Sequence, residues 1–111
     1  MRRLSGDLIH LRLNFREIKA AVEVGKVGDQ QVNIRVKIIK ETKPDFKIRI
    51  SLQKDKRDLS SYVWDRKNDI LFENVLYGRY MMLFSCNSKT VGMYPFEIKE
   101  NPYDRRQDTE E

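Results

Sequence analysis

The stretch DILFENVLYGRYMMLFS, residues 69–85, sets two apolar runs on either side of Tyr77-Gly78. In the second run Tyr80, Met82 and Phe84 recur at every second position, which is the period of a strand with one buried face. Gly78 permits a positive backbone angle where the chain reverses, and the Tyr80 ring then enters a core. Met81 and Leu83 fall on the opposite side of the same strand. The glycine therefore aims two strands into one apolar layer, and the chemistry of the cluster is packing.

The same period extends outward from this stretch. From Asp7 to Phe15, Ile9, Leu11, Leu13 and Phe15 alternate with His10, Arg12 and Asn14. Val32, Ile34, Val36 and Ile38 alternate with Asn33, Arg35 and Lys37. After a turn around Pro44, Phe46, Ile48, Ile50 and Leu52 alternate with Lys47, Arg49 and Ser51. KDKRD at 54–58 reads as a solvated loop, and LSSYVWD at 59–65 as a further strand. The last strand turns Tyr94, Phe96 and Ile98 inward, and Pro95, which has no amide to donate, puts it at a sheet edge or marks where it begins. Residues 16–24, REIKAAVEV, divide the evidence. Their types favour a short helix, the reading adopted, although Ile18, Ala20, Val22 and Val24 also alternate.

Seven or so short strands joined by polar turns predict an all-β antiparallel β-sandwich, because two one-faced sheets must close on each other. The expected division is an N-terminal strand and helix extension over 1–31, packing on the domain, a sandwich over 32–100, and a disordered charged tail over 101–111.

Composition narrows the function classes. The 111 residues suffice for one core, and 40% hydrophobic with 35% charged content describes a folded domain with a charged exterior. No apolar run approaches the roughly 20 residues of a membrane helix. The start, MRRLSGDLIHLRLNF, is too broken by polar residues for a signal peptide, so a chain complete as written is expected in the cytoplasm. Cys86 is the lone cysteine and His10 the lone histidine. That leaves no disulfide, no zinc cluster and no cysteine–histidine pair from neighbouring sequence, and Cys86 reads as a buried apolar residue. No cofactor is implied. Net charge is +5, and the tail from 101 holds four acids against two arginines, so the rest of the chain is more basic still.

WDRKNDILFENVLYGRYMMLFS, residues 64–85, resembles the strand–loop–strand element of prealbumin-like β-sandwich modules, such as carboxypeptidase regulatory-like domains and collagen-adhesin B-type repeats. Asp65 and Asn68-Asp69 match the turn. Ile70, Phe72, Asn74 and Val75 match the first strand, and Gly78, Tyr80, Met82 and Phe84 the second. The resemblance covers residues 32 to 99, and its specific part is this central element. It implies an accessory or interaction domain, often a part of a larger protein. Some such repeats form a Lys–Asn isopeptide bond assisted by an acid on the strand after the Gly-x-Tyr step. That strand reads MMLFSCN here and holds no acid, so this chemistry is not carried over.

Three features are candidates for function. Arg35, Lys37, Lys47 and Arg49 point outward on two strands joined by a short turn. Pairing of those strands would make one basic face for an anion, a nucleic acid or an acidic protein surface, unless nearby acids neutralise it. No outward aromatic is interleaved with these bases, which weakens the nucleic-acid version. Met81 and Leu83 make their strand apolar on both faces, so either the N-terminal segment covers them with Ile18 and Val22, or they meet a partner or a second copy. Tyr62, Trp64, Tyr77 and Tyr94 could stack on a sugar, although such residues more often pack in cores. Asp65 and Asp69 read as turn formers rather than paired catalytic acids. The reading is a non-catalytic protein-interaction domain. The alternatives are a small binder of an anionic ligand or nucleic acid, and a carbohydrate-binding module.

Overall fold

The computed structural model describes residues 8–99. The expected tail over 101–111 lies outside them. Among the described residues, eight strands follow one another without a helix: β1 (Leu8–Asn14), β2 (Ile18–Gly28), β3 (Gln31–Glu41), β4 (Ile48–Lys54), β5 (Arg57–Val63), β6 (Ile70–Leu76), β7 (Gly78–Cys86) and β8 (Lys89–Ile98). They form two four-stranded antiparallel sheets. Sheet 1 runs β1-β2-β3-β6 and sheet 2 runs β5-β4-β7-β8. The all-β sandwich is the expected architecture.

Residues 16–24 correct the helical expectation. Ile18 to Val24 lie within β2, which pairs with β1 on one side and β3 on the other. Ile18, Ala20, Val22 and Val24 are all buried, so the period of two outweighed the helix propensity of the residue types. β1 and β2 are thus two of the four strands of sheet 1. Ile18 and Val22 face the space between the sheets and cannot cover Met81 and Leu83 on the outside of sheet 2.

The core lies between the inner faces. Ile34, Val36 and Phe72 from sheet 1 meet Ile48, Ile50, Leu52, Met82 and Phe84 from sheet 2, and each is almost wholly buried. Phe15 sets the alignment of the layers. Its ring lies 5.1 Å from that of Phe84 and passes directly over Gly92, where a methyl group would come within 2.5 Å of it. At the other edge Tyr62 of β5 meets Phe72 of β6, with ring centroids 5.4 Å apart. Hence β8 lies across from β1, and β5 across from β6.

Three crossovers stitch the layers. The chain leaves sheet 1 after β3, around Pro44, and enters sheet 2 at β4. It returns from β5 in sheet 2 to β6 in sheet 1, and crosses again between β6 and β7 through Tyr77 and Gly78. Gly78 has φ +155°, in the region only glycine enters freely, and Tyr80 beyond it is 6% exposed. The glycine serves a step between sheets rather than a hairpin. KDKRD is no loop: β4 and β5 meet in a two-residue turn, Asp55-Lys56, with both residues left-handed at φ 52° and 65°. That conformation matches the natural twist of a hairpin.

Candidate cationic face

The four outward bases do not share a surface. β3 and β4 belong to different sheets, so Arg35 and Lys37 face away from one side of the sandwich, and Arg49 from the other. The link around Pro44 is a crossover and not a hairpin turn. Alternation along each strand was legible, but it cannot say which strands pair.

Arg49 sits on the outside of sheet 2 and donates a 2.9 Å hydrogen bond to the Ser61 hydroxyl, which shares a second bond of 2.8 Å with Ser51. Lys47 precedes β4, where its amide donates to Asn87 Oδ1 and its carbonyl accepts from the Asn87 amide, both at 2.8 Å. Beside Arg49 the centre of this outer face is poor in charge. Ser51, Leu83 and Met93 stand in one cross-strand row, and Gln53, Met81 and Pro95 in the next. Met81 and Leu83 are half-buried there, while Met93 is 60% exposed.

The outside of sheet 1 is different. The register places Arg12, Ala21 and Lys37 in one row across β1, β2 and β3, and Asn14, Lys19 and Lys40 in the next. A slip at Lys19/Ala20 makes Ile39 the extra residue and lets Lys40 join Lys19. With Arg35, which stands on β3 opposite Glu23, five cations therefore surround Ala21. Its short side chain leaves a depression of about 260 Å³, lined by Ala21, Glu23, Arg35, Lys37 and Asp69.

Acids occupy only part of this face. Arg35 lies between Glu23 at 3.9 Å and Asp69 at 3.8 Å, and His10 Nδ1 is 3.4 Å from Glu23. These pairs are half-exposed and of little energetic weight. Among the described residues, no acid comes within 4 Å of Arg12, Lys19, Lys37 or Lys40. Among the described residues, neutralisation by neighbouring acids thus holds for Arg35 and not for Arg12, Lys19, Lys37 or Lys40. Arg12, Lys19 and Lys40 were missed in the sequence because their alignment with Lys37 depends on the pairing of three strands. Asp69 joins the Arg35 pair rather than serving only as a turn former.

The remaining candidates fall into separate places. Tyr62 on β5 and Tyr94 on β8 mark opposite edges of sheet 2, two strands apart, so with Trp64 and Tyr77 they form no single platform. Trp64 packs against the core, its ring 5.2 Å from the Arg66 guanidinium. Arg66 also donates to the Phe46 carbonyl, and its Nη1 stands 2.7 Å from Glu41 Oε1, an ion pair at an angle unsuited to a hydrogen bond. Asp65 forms the turn expected of it, accepting 2.8 Å bonds from the amides of Lys67 and Asn68. Cys86 is buried. Its thiol is raised above the ordinary range first by that burial and then by the negative charge of Glu17; Arg66 opposes the rise, and Glu41 adds a smaller increment.

No group of three or more His, Cys, Asp or Glu side chains stands close enough to hold a metal among the described residues. No helix among them is long and apolar enough to cross a membrane. Comparison with family models, curated proteins and solved structures finds no match in any of the three.

Proposed function

We propose that this chain is a non-catalytic interaction module, of the prealbumin-like kind its central element resembles, and that it docks an acidic surface of a partner protein against the outside of sheet 1. The observation that carries this reading is the alignment across β1, β2 and β3 of four cations, Arg12, Lys19, Lys37 and Lys40, none of them within 4 Å of an acid among the described residues. They stand beside the Ala21 depression, which Lys37 lines together with Arg35, Glu23 and Asp69. Like charges aligned across neighbouring strands cost stability. A sheet that keeps them together gains from an anionic ligand that relieves the repulsion. A flat array of lysines and arginines without aromatic rings suits carboxylates on a protein surface better than stacked bases.

The test is a titration of the full chain with a glutamate-rich peptide, followed across salt concentrations, beside the double variant Lys19→Glu with Lys37→Glu. Binding that weakens with salt and falls at least tenfold in the variant, about 1.4 kcal/mol, supports the reading. Preference for a mixed-sequence oligonucleotide, with the steep salt slope of phosphate contacts, transfers the face to nucleic acid. Binding that the variant leaves intact removes the face from the function.

A further inference from the structure

Each sheet ends in two edge strands, β1 and β6 in sheet 1, β5 and β8 in sheet 2. Exposed edges invite pairing by another strand, and proteins commonly spoil them with bulges, prolines or charge. Three of these four edges are spoiled. β6 slips register opposite Val32/Ile34, with Asn74 left-handed at φ 56°. β5 slips opposite Leu52/Gln53, and β8 slips opposite Phe84/Ser85 and contains Pro95. β1 is the exception. It pairs with β2 in unbroken register over all seven residues, it contains no proline, and its one charged residue, Arg12, lies on the outer face.

The side chains of β1 describe what could join it. Ile9 stands opposite Val24 and so faces inward, yet it is 52% exposed whereas Val24 is 8% exposed. Leu11, two residues on, is half-buried. Across the gap, on β8, Tyr94 and Phe96 stack at 5.6 Å and Phe96 continues onto Tyr80 at 5.8 Å. Tyr94 and Phe96 are also half-buried. Among the described residues, the apolar layer is therefore only partly covered along the β1–β8 rim. On the other side of β1, His10 and Arg12 are exposed and continue the cationic face.

We propose that β1 accepts an added strand from the acidic partner: an extended segment in which apolar and acidic residues alternate. Its backbone pairs with the edge of β1 that no strand among the described residues occupies. Its apolar side chains close the rim against Ile9 and Leu11, and its acidic ones lie beside His10 and Arg12. Main-chain bonds supply affinity in such strand additions, and alternate side chains supply selection. This rests on the reading of sheet 1 as an acid-binding face and names how the partner is held.

The experiment titrates the full chain with a capped peptide of about nine residues, the length of a strand, alternating glutamate and valine. A second peptide of the same composition carries all its glutamates in one half. Amide hydrogen exchange is followed by NMR. The alternating peptide is expected to slow exchange at every second amide between Leu8 and Asn14, those pointing away from β2, and to bind about tenfold tighter than the blocked one. Ile9→Lys, at an exposed position that folding tolerates, is expected to abolish that advantage. Equal binding of both peptides without protection of β1 overturns strand addition and leaves the acid-binding face standing. Failure of both to bind overturns the two together. Protection of β1 that grows with protein concentration in the absence of peptide makes a second copy the occupant and overturns the acidic partner strand.

Discussion

The Tyr80 hydroxyl donates a 2.6 Å hydrogen bond to the Leu76 carbonyl, spanning the step at Gly78 by which the chain changes sheets. The bond ties the last residue of β6 to the third of β7, and the ring beneath it packs in the core. Burial also raises the phenol above its ordinary value of 10.0, so it remains a donor throughout the neutral range. Tyr80→Phe keeps the ring and strands the carbonyl. We expect a loss of about 1 kcal/mol in urea unfolding, the net worth of one such bond. Tyr80→Ala also removes the ring, and about 3 kcal/mol or more is expected. Equal stability of the wild type and the phenylalanine variant would show that water satisfies Leu76 equally well.

Phe15 and Gly92 approach each other closely where the layers meet. A methyl group at 92 would meet three ring atoms of Phe15 at 2.5 to 2.6 Å. That ring is held against Phe84 and cannot withdraw without disturbing the core. Gly92→Ala is expected to destabilise by about 1–3 kcal/mol through overpacking. Combining it with Phe15→Leu should recover part of the loss, as contacting residues couple. Strict additivity in that double-mutant cycle rules out the clash as the cause.

Asp65 is held below its ordinary value of 3.8 chiefly by the amides of Asn68 and Lys67, with the Asn68 side chain adding to the effect. A carboxylate depressed in the folded state contributes its stability in full above the unfolded value. The contribution is lost as pH falls through the lower, folded value. The wild type should therefore lose stability on acidification below 3.8 more steeply than Asp65→Asn, whose amide can still cap the turn. Denaturant midpoints across the acid range check this, and parallel curves for the two proteins discount Asp65 as a contributor.

The Asp55-Lys56 turn carries a left-handed lysine at φ 65°. Residues with a Cβ pay for that conformation, and glycine does not. Lys56→Gly with Asp55→Asn installs the sequence that such turns favour. We expect a gain of about 1 kcal/mol in thermal or urea unfolding. A loss instead would mean that Lys56 makes a contribution in the folded state larger than its backbone strain.

Much of the architecture could be read directly from alternation. Tyr80, Met82 and Phe84 are buried as their spacing required, and so are Val32, Ile34, Val36 and Ile38. Segment 16–24 shows where local preference misleads. Its alanines and glutamates suit a helix, but a chain with Ile18, Val22 and Val24 in alternation gains more by pairing on both sides. The candidate face was only partly legible. Lys37 could be picked out as outward, while its alliance with Arg12, Lys19 and Lys40 spans three strands and appears in no single segment.

The order of residues determined which side chains could be enclosed, because strand geometry sends neighbours to opposite faces and burial of the apolar ones does the rest. Only the tertiary structure decided which strands are neighbours. The crossover around Pro44 sent Arg35 and Arg49 to opposite outer surfaces, and the hairpins of β1, β2 and β3 assembled a cationic array from residues 12 to 40. Pairing between distant segments depends on backbone hydrogen bonds and inter-layer packing, which are properties of the assembled sheets and carry no mark in the spacing of one strand.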